Sequence, residues 1–361
     1  MNDEKKITVA LNTVPGFRAA LFHRSLSRFS SAAGILKAGK ESLSSVPGVG
    51  KAVAAAVASL EVEEAWQRER KKAGEWGVDI VTFFDEGYPE ILRHIHDPPP
   101  VLYLRGSITT ADAHSLAIVG SRAATVYGKA TAERFARALA GRGVTVVSGL
   151  ARGIDTSAHR GALEGGGRTI AVLGSGMDRL YPSENNRLAA EIASSGAVVT
   201  EFPFGSGPEK RHFPMRNRTI SGLSLGLIVV EAAARSGALI TAHLAMEQGR
   251  EVFAVPGNVT SPRSDGPNAL IRDGACLVRS IDDVFEELPY LAAAERATGD
   301  GLTALSDDER VILSRLGPDP LTVDEVIRQS PVPSSRTVSI LTALEVKGLI
   351  RQYAGRRFVR H

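Results

Sequence analysis

The chain has 361 residues, of which 43% are hydrophobic and 23% charged, a composition typical of a soluble globular protein of two or three domains. Its 43 lysines and arginines against 40 acidic residues leave a net charge of +3, which is too small for bulk charge to bind a polyanion. The single cysteine excludes an intramolecular disulfide, and no apolar run approaches the ~20 residues that span a bilayer. With no signal peptide pattern at the start, these features predict a cytoplasmic protein without a membrane anchor.

Residues 1–75 are rich in alanine and have a pattern that predicts a small helical domain. The region contains two related turns, Val14-Pro-Gly-Phe17 and Val46-Pro-Gly-Val-Gly-Lys51. The second has the Gly-x-Gly sequence of a helix-hairpin-helix, in which backbone N–H groups approach a DNA phosphate, whereas the first lacks the second glycine. Two interpretations stay open: a SAM-like or helix-hairpin-helix unit that binds DNA, and a plain helix–helix corner in a small bundle.

Residues 79–288 alternate apolar, strand-like runs with helical patterns. Most of these runs are continuously apolar, which indicates strands covered on both faces and hence a mostly parallel sheet with helices on either side. The pattern predicts a Rossmann-like α/β domain with strands at 116–119, 144–148, 170–173, 197–201, 225–231, 252–255 and 276–278.

Residues 289–302 are rich in alanine, glycine and charge, which predicts a flexible linker. Residues 303–361 predict helices at 307–316, 322–329 and 334–347, followed by a hairpin that turns at Gly355. This arrangement is a winged helix, whose third helix usually enters the major groove of DNA. Many winged helices contact only protein, so duplex DNA and protein both stay open as partners. The cations that favour DNA are Lys347, Arg351, Arg356, Arg357 and Arg360.

One stretch, Ser148-Gly-Leu-Ala-Arg-Gly-Ile-Asp-Thr-Ser-Ala-His159, follows an apolar run and opens a helical pattern. A strand, a glycine turn and a helix in this order point backbone N–H groups and the positive end of a helix at one spot, which attracts an anion. Polar clusters follow other predicted strands too, and the carboxyl ends of parallel strands share one edge. The candidate binding residues at this edge are Gly120, Ser121, Arg122, Ser148, Gly149 and Arg152. The pocket positions expected to be mainly structural are Asp155, His159, Asp178, Glu231, Ser236, Gly237 and Thr241.

The segment 205–222 combines four cations with aromatic rings and a single acid. Cations interleaved with aromatics suit a single-stranded nucleic acid, because phosphates meet the cations and a base stacks on a ring. Four phosphate contacts predict that log affinity falls with log salt at a slope of about 3. Arg218 and Asn217 also have a structural interpretation, as residues that bond neighbouring loops. The binding candidates here are Lys210, Arg211, Phe213, Arg216, Asn217 and Arg218.

Other kinds of ligand leave weaker signals. No Gly-x-Gly-x-x-Gly follows a strand, no P-loop occurs, and the histidines and acids show no metal-ligand spacing, so no cofactor or metal is predicted. A nucleotide-processing enzyme, such as a phosphoribohydrolase, is the alternative function, with Glu231 or Asp178 as acid or base. Against it, the sequence after Glu231 lacks the Pro-Gly-Gly-x-Gly-Thr turn of those enzymes.

Taken together, these motifs resemble the DprA/Smf family, the DNA-processing proteins of bacterial natural transformation. The resemblance covers about residues 80–285 and adds further segments to those above. These are Gly-Ser-Gly-Met-Asp178 with Tyr-Pro182, Phe-Pro-Met-Arg-Asn-Arg218, Ser-Gly-Ala-Leu-Ile-Thr-Ala242, Val-Pro-Gly257 and Gly266-Pro-Asn-Ala-Leu-Ile271.

The resemblance implies a recombination mediator rather than an enzyme. Such proteins bind single-stranded DNA without sequence preference, shield incoming strands from nucleases, help load the RecA recombinase and form homodimers through the Rossmann-like domain. It implies that Arg122 is the strand-binding arginine and that Ser148, Gly149, Arg152, Phe213, Arg216 and Arg218 complete the pocket. It places the dimer surface near Leu270, Ile271, Leu277 and Val278.

Overall fold

The computed structural model describes residues 3–289, 291, 306–317, 321–346, 349–353 and 357–360. The chain forms two compact units, Met1–Val284 and Phe285–His361. Most of the predicted linker, the predicted turn at Gly355, and the cations Lys347 and Arg356 lie outside the described residues.

Within the described part of the first unit, nine strands form one sheet in the order β1-β2-β6-β5-β4-β3-β7-β8-β9. Strand β2 pairs antiparallel with β1 and β6, and the other neighbouring pairs are parallel. The predicted mostly parallel, Rossmann-like sheet is therefore confirmed. The strands are β1 (Asp79–Thr82), β2 (Val101–Gly106), β3 (Ser115–Val119), β4 (Thr145–Ser148), β5 (Thr169–Val172), β6 (Ala197–Thr200), β7 (Gly226–Val229), β8 (Glu251–Ala254) and β9 (Cys276–Leu277).

The central strands β3 to β7 are buried along their whole length, which explains their continuous apolar runs. Alternate residues of β5 enter opposite cores. Ile170 and Val172 pack in one core, and Ala171 packs in the other. Each face of the sheet is therefore covered, as the pattern predicted.

Strands β1 and β2 were not predicted. β1 has only four residues and begins with an exposed aspartate, a residue that strands disfavour. Strand β2 directly follows the three prolines at 98–100. There Tyr103 lies opposite Ile80 on one side and Thr200 on the other.

Helices surround the sheet, and those of the first unit differ widely in length. They are α1 (Asp3–Asn12), α2 (Ala19–Phe29), α3 (Ala32–Lys37), α4 (Gly39–Ser44), α5 (Lys51–Ala58), α6 (Val62–Trp76), α7 (Glu90–Arg93), α8 (Val126–Ala140), α9 (Ile154–Glu164), α10 (Asn186–Ser195), α11 (His212–Gly222), α12 (Gly237–Glu247), α13 (Asp265–Arg272) and α14 (Ile281–Glu287).

The N-terminal helices share a core with the sheet. Val9 of α1 and Trp66 of α6 pack in the cluster that contains Tyr103 and Phe204. Helix α6 is rich in charged residues, but its Glu69 is only 1% exposed and accepts a hydrogen bond from the Tyr103 hydroxyl at 2.8 Å. The domain boundary drawn at residues 75–79 stays a prediction.

The two related Pro-Gly turns join α1 to α2 and α4 to α5. Gly16 and Gly48 at their centres have φ of 84° and 87°, which a residue with a side chain adopts only under strain. Residues that flank both turns, such as Phe17 and Val49, belong to one separate core. Helix corner and DNA-binding hairpin both agree with this packing, so both interpretations remain.

The second unit is a winged helix, as predicted. It contains the helices Asp307–Arg315, Val323–Gln329 and Ser334–Val346 and a three-stranded sheet of Leu321–Thr322, Arg357–Arg360 and Ile350–Tyr353. A capping box begins the second helix, where Thr322 and Glu325 bond reciprocally. The two-residue strand Leu321–Thr322 is too short to leave a sequence pattern and was missed.

Candidate anion-binding site

A crevice lies at the carboxyl ends of the parallel strands, where the strand order reverses. Strand β3 lies between β4 and β7, so the chain leaves β3 to one side and later returns on the other. Ligands of open α/β sheets bind at such switch points. The crevice holds about 620 Å³ and is lined by Val119, Gly120, Ser121, Arg122, Ala123, Ala151, Asp155, Lys210, Phe213, Pro214, Arg216, Asn217, Ile220, Ser236, Gly237, Ala238, Ile240 and Thr241.

Close backbone approaches hold the loops of this crevice together. The Ile154 N–H at the start of α9 donates to the Ser121 carbonyl at 3.2 Å. Gly153 has φ of 78°, and a Cβ there would lie 2.3 Å from the same carbonyl oxygen. Glycine is required at this position, and it locks the Gly120–Arg122 loop onto the glycine turn that was predicted to bind an anion.

Two cations face this crevice without a carboxylate partner among the described residues: Arg122 and Lys210. Both are exposed. The Arg122 Cζ lies 4.8 Å from the centre of the Phe213 ring, within cation–π range. The ring in turn rests on Gly174, where a Cβ would lie 2.9 Å from Phe213 Cδ1. The crevice therefore presents two available positive charges beside a half-buried aromatic ring.

Arg216 lines the crevice, but its guanidinium is hydrogen-bonded to other groups of the protein. It is 5% exposed and donates from Nη1 to the carbonyls of Gly149 and Val172, which joins the ends of β4 and β5. Burial lowers the pKa of Arg216 to about 10, while the nearby Asp155 carboxylate opposes that shift. Its guanidinium therefore has a structural role, and its role as a phosphate ligand stays a prediction.

Arg218 is also a structural residue, which was its second interpretation. It is 5% exposed, pairs with Glu201 at 2.5 Å and donates to the Asp97 carbonyl at 2.6 Å. The guanidinium does not line the crevice. Asn217 lines the crevice and donates from Nδ2 to the Gly237 carbonyl at 3.3 Å, which joins α11 to α12.

Two exposed arginines predicted to bind the ligand are engaged in ion pairs outside the crevice lining. Arg152 makes a bidentate contact with Glu184, at 2.7 Å and 2.6 Å. Arg211 donates to Glu209 at 2.6 Å. Four of the six predicted cations are thus bonded to protein groups in this structure.

Asp155 adds a titratable group to the crevice. Its carboxylate accepts a hydrogen bond from the Ala151 N–H at 3.3 Å. Burial raises its pKa from 3.8 to about 6, although Arg216 and the backbone donors lower it. Above that pH the carboxylate is charged and opposes an anion in the crevice.

The other polar positions bond neighbouring segments. Ser148 donates to the Ile118 carbonyl at 2.6 Å, and a Cβ at Gly149 would lie 2.7 Å from the Arg216 guanidinium. His159 bonds Thr169 through Nδ1 at 2.7 Å, and burial lowers the pKa of its imidazole to about 3. Asp178 accepts from the Gly205 N–H at 2.8 Å.

Glu231 and the α12 residues complete this framework. The Glu231 carboxylate accepts hydrogen bonds from the Thr125 N–H at 2.9 Å and the Thr125 hydroxyl at 2.5 Å, at the start of α8. Ser236 caps α12, whose positive end opens into the crevice beside Gly237 and Thr241.

The dimer candidates divide into two groups. Leu270 and Val278 are 5% and 0% exposed and belong to the interior of the first unit, so they are not free to form a surface. Ile271 is half-buried, and Leu277 on the edge strand β9 is 41% exposed. A surface at this place would therefore rest on Ile271 and Leu277.

Sequence reasoning missed the apolar wall of the crevice. Ile240 of α12 is 43% exposed and lines the crevice opposite the charged loops. An isoleucine in a helix has no chemical signature, so only the fold reveals it. Among the described residues, no helix is long and apolar enough to cross a membrane, and no cluster of three metal-binding side chains occurs.

The fold and the site define a Rossmann-like α/β protein with a crevice lined by cations at the carboxyl ends of its strands, and with a winged helix. Residues 79–289 match the family described as DNA recombination-mediator protein A, and residues 295–356 match the DprA winged helix domain. The chain belongs to the DNA recombination-mediator protein A family, so the resemblance to DprA/Smf is confirmed.

Individual relatives of known sequence or structure belong to the same family. The chain is 42% identical to Protein Smf of Escherichia coli K12 over 283 residues, which is 76% of each chain. It is 44% identical to the DNA processing protein DprA of Bacillus subtilis over 216 residues, 60% of this chain and 73% of that one. The crystal structure of DprA from Streptococcus pneumoniae matches 80% of this chain and 98% of its own, with a TM-score of 0.66 and 34% identity.

A second relative of known structure is described together with its ligand, single-stranded DNA. The Helicobacter pylori DprA structure, described as showing a unique single-stranded DNA binding mode, matches with a TM-score of 0.54 and 31% identity. It covers 59% of this chain and 96% of that one.

Proposed function

We propose that this chain binds single-stranded DNA in the crevice at the carboxyl ends of its sheet. The observation that carries the proposal is a pair of cations beside the Phe213 ring, Arg122 and Lys210, neither of which forms an ion pair with a described residue. Two positive charges next to a stacking surface suit a polymer of phosphates and bases. The single-stranded DNA bound by the H. pylori relative supports the same ligand class.

The crevice favours binding to the DNA backbone over reading of the bases. Arg122 and the positive end of α12 both attract phosphate, and phosphate contacts have no sequence information. We infer that the chain binds strands of any sequence with similar affinity.

Binding is also favoured over catalysis. Glu231 and Asp178, the carboxylates considered as acid or base for a phosphoribohydrolase, both accept hydrogen bonds from neighbouring segments. Neither lines the crevice that holds Arg122. We infer a protein that holds DNA without transforming it chemically.

The wider role follows from the family. We propose that the chain acts in the cytoplasm as a recombination mediator in natural transformation, shielding incoming strands and passing them to RecA. We propose a homodimer whose surface includes Ile271 and Leu277, and a winged helix whose partner is duplex DNA or protein. Family membership supports this role.

A titration of labelled oligothymidylate, followed by fluorescence anisotropy, tests the proposal. We expect Arg122→Ala to weaken binding about 10-fold or more, because a charge-assisted phosphate contact is lost. Arg187→Ala is the matched control, since Arg187 is 92% exposed on α10 and does not line the crevice. Equal affinity of the Arg122→Ala variant and the wild type would refute the proposed site.

A further inference from the structure

A second crevice lies next to the first. It holds about 490 Å³ and is formed by the start of α8 and the loops that follow β7 and β8. Thr125, Tyr127, Glu231, Gly257, Asn258 and Ser261 are among its lining residues. None of its lining residues belongs to the lining of the first crevice.

The two crevices are contiguous along the chain. Ala123 lines the first and Thr125 lines the second, and two residues span at most ~7 Å. Arg263 lies at this junction, because its Nε donates to the Ala123 carbonyl at 2.7 Å. Arg263 is exposed and forms no ion pair with any of the described residues. A positive charge is therefore anchored between the two crevices.

An exposed aromatic side chain, Tyr127, lines the second crevice. Tyr127 is 60% exposed, and in the described parts of the chain its ring contacts no other ring. A large exposed ring is a surface on which a base stacks in single-strand sites.

The floor of the second crevice is polar, and its one carboxylate, that of Glu231, is buried. The Glu231 carboxylate is 6% exposed and both of its oxygens accept hydrogen bonds from Thr125. Asn258 and Ser261 supply amide and hydroxyl groups, and Gly257 is held close, since a Cβ there would lie 2.1 Å from the Ser264 hydroxyl. Such a floor accepts a base or sugar edge, while the phosphate stays outside with Arg263.

We propose that the second crevice is a further nucleotide subsite, in which the strand leaving Arg122 places a phosphate at Arg263 and a base against Tyr127. This inference rests on the proposed function of the first crevice. The intact chain would then bind a longer stretch of DNA than the first crevice alone can hold.

Oligothymidylates of increasing length, from about 3 to about 16 nucleotides, test the proposal on the full-length chain. The shortest strands fill the first crevice only, so Tyr127→Ala and Arg263→Ala should bind them as the wild type does. Long strands should bind each variant about 10-fold more weakly, which is within the range measured for loss of one stacked base. Tyr127→Phe keeps the ring and should retain wild-type affinity at every length.

A photo-crosslink gives a second readout. Long strands containing 5-iododeoxyuridine should crosslink to Tyr127 in the wild type, and the peptide is identified by mass spectrometry. Melting temperatures equal to that of the wild type show that the variants are folded.

The outcomes separate the two proposals. Loss of binding in Arg122→Ala at all lengths, with Tyr127→Ala and Arg263→Ala equal to wild type on long strands, would overturn the second subsite and leave the first intact. Absence of wild-type binding at every length would overturn both. A length-dependent loss confined to the Tyr127 and Arg263 variants supports the subsite.

Discussion

The guanidinium of Arg122 lies over the ring of Phe213, with its Cζ 4.8 Å from the ring centre. The same ring packs closely against Gly174, where a Cβ would lie 2.9 Å from Phe213 Cδ1. The pair therefore offers a strand both a charge for a phosphate and a flat surface for a base.

Replacing the ring tests this arrangement. We expect Phe213→Ala to weaken binding of oligothymidylate about 10-fold, because a base stacked on an aromatic ring contributes ~1–3 kcal/mol. Phe213→Tyr should bind within about 3-fold of wild type, since the ring is kept. If Phe213→Leu, which keeps apolar bulk without a ring, binds as tightly as the wild type, stacking has no part in recognition.

The salt dependence of binding counts the cations in contact with phosphate. Four contacts were expected from the sequence, with a slope of about 3, but only Arg122 and Lys210 face the crevice unpaired among the described residues. For strands short enough to fill the first crevice only, two contacts predict a slope of about 1.4 for log affinity against log KCl concentration. Arg122→Ala should reduce it to about 0.7, and a wild-type slope near 3 would show that the ion-paired arginines also reach the strand.

The buried ion pair between Arg218 and Glu201 predicts an effect on stability rather than binding. Arg218→Ala leaves the Glu201 carboxylate buried without its partner, which costs ~3–5 kcal/mol of the free energy of unfolding. Urea denaturation measures this loss. Arg152→Ala is the comparison, since the exposed pair with Glu184 should contribute little. A weakened affinity in folded Arg218→Ala would restore its role as a ligand.

The raised pKa of Asp155 predicts that both stability and affinity for DNA depend on pH. Its pKa is about 6 when folded against 3.8 as an ordinary carboxyl, so the folded state binds more protons between these values. Stability therefore falls as the pH rises through that window, and a charged carboxylate opposes the strand above it. We expect affinity for oligothymidylate to decrease between about pH 5 and about pH 8 in the wild type. Asp155→Asn should remove this decrease; an unchanged pH profile in the variant would show that another group titrates.

The sheet and the place of the site were predictable, because continuous apolar runs indicate strands buried on both faces and polar residues after such strands meet at one edge. Gly120, Ser121 and Arg122 lie where this reasoning put them. The glycine turn was predicted to bind an anion, and the packing of Gly153 against the Ser121 carbonyl was not predicted.

The partners of the arginines were not predictable. Arg218 meets Glu201 and Asp97, which lie 17 and 121 positions away in the chain. The bonds from Arg216 to the ends of β4 and β5 exist only once the strands are adjacent. A count of local charge treats all such cations as available, whereas the fold separates those that face solvent from those that join loops. The wall formed by Ile240 was hidden for a related reason, because its exposure depends on the position of α12.

The most direct test compares two double variants that remove the same charge. Arg122→Ala with Lys210→Ala removes the cations that face the crevice, and Arg152→Ala with Arg211→Ala removes two that are paired with carboxylates. We expect the first to lower affinity for oligothymidylate about 100-fold and the second to change it less than about 3-fold. Equal losses in both, or a larger loss in the second, would contradict the assignment of the binding site.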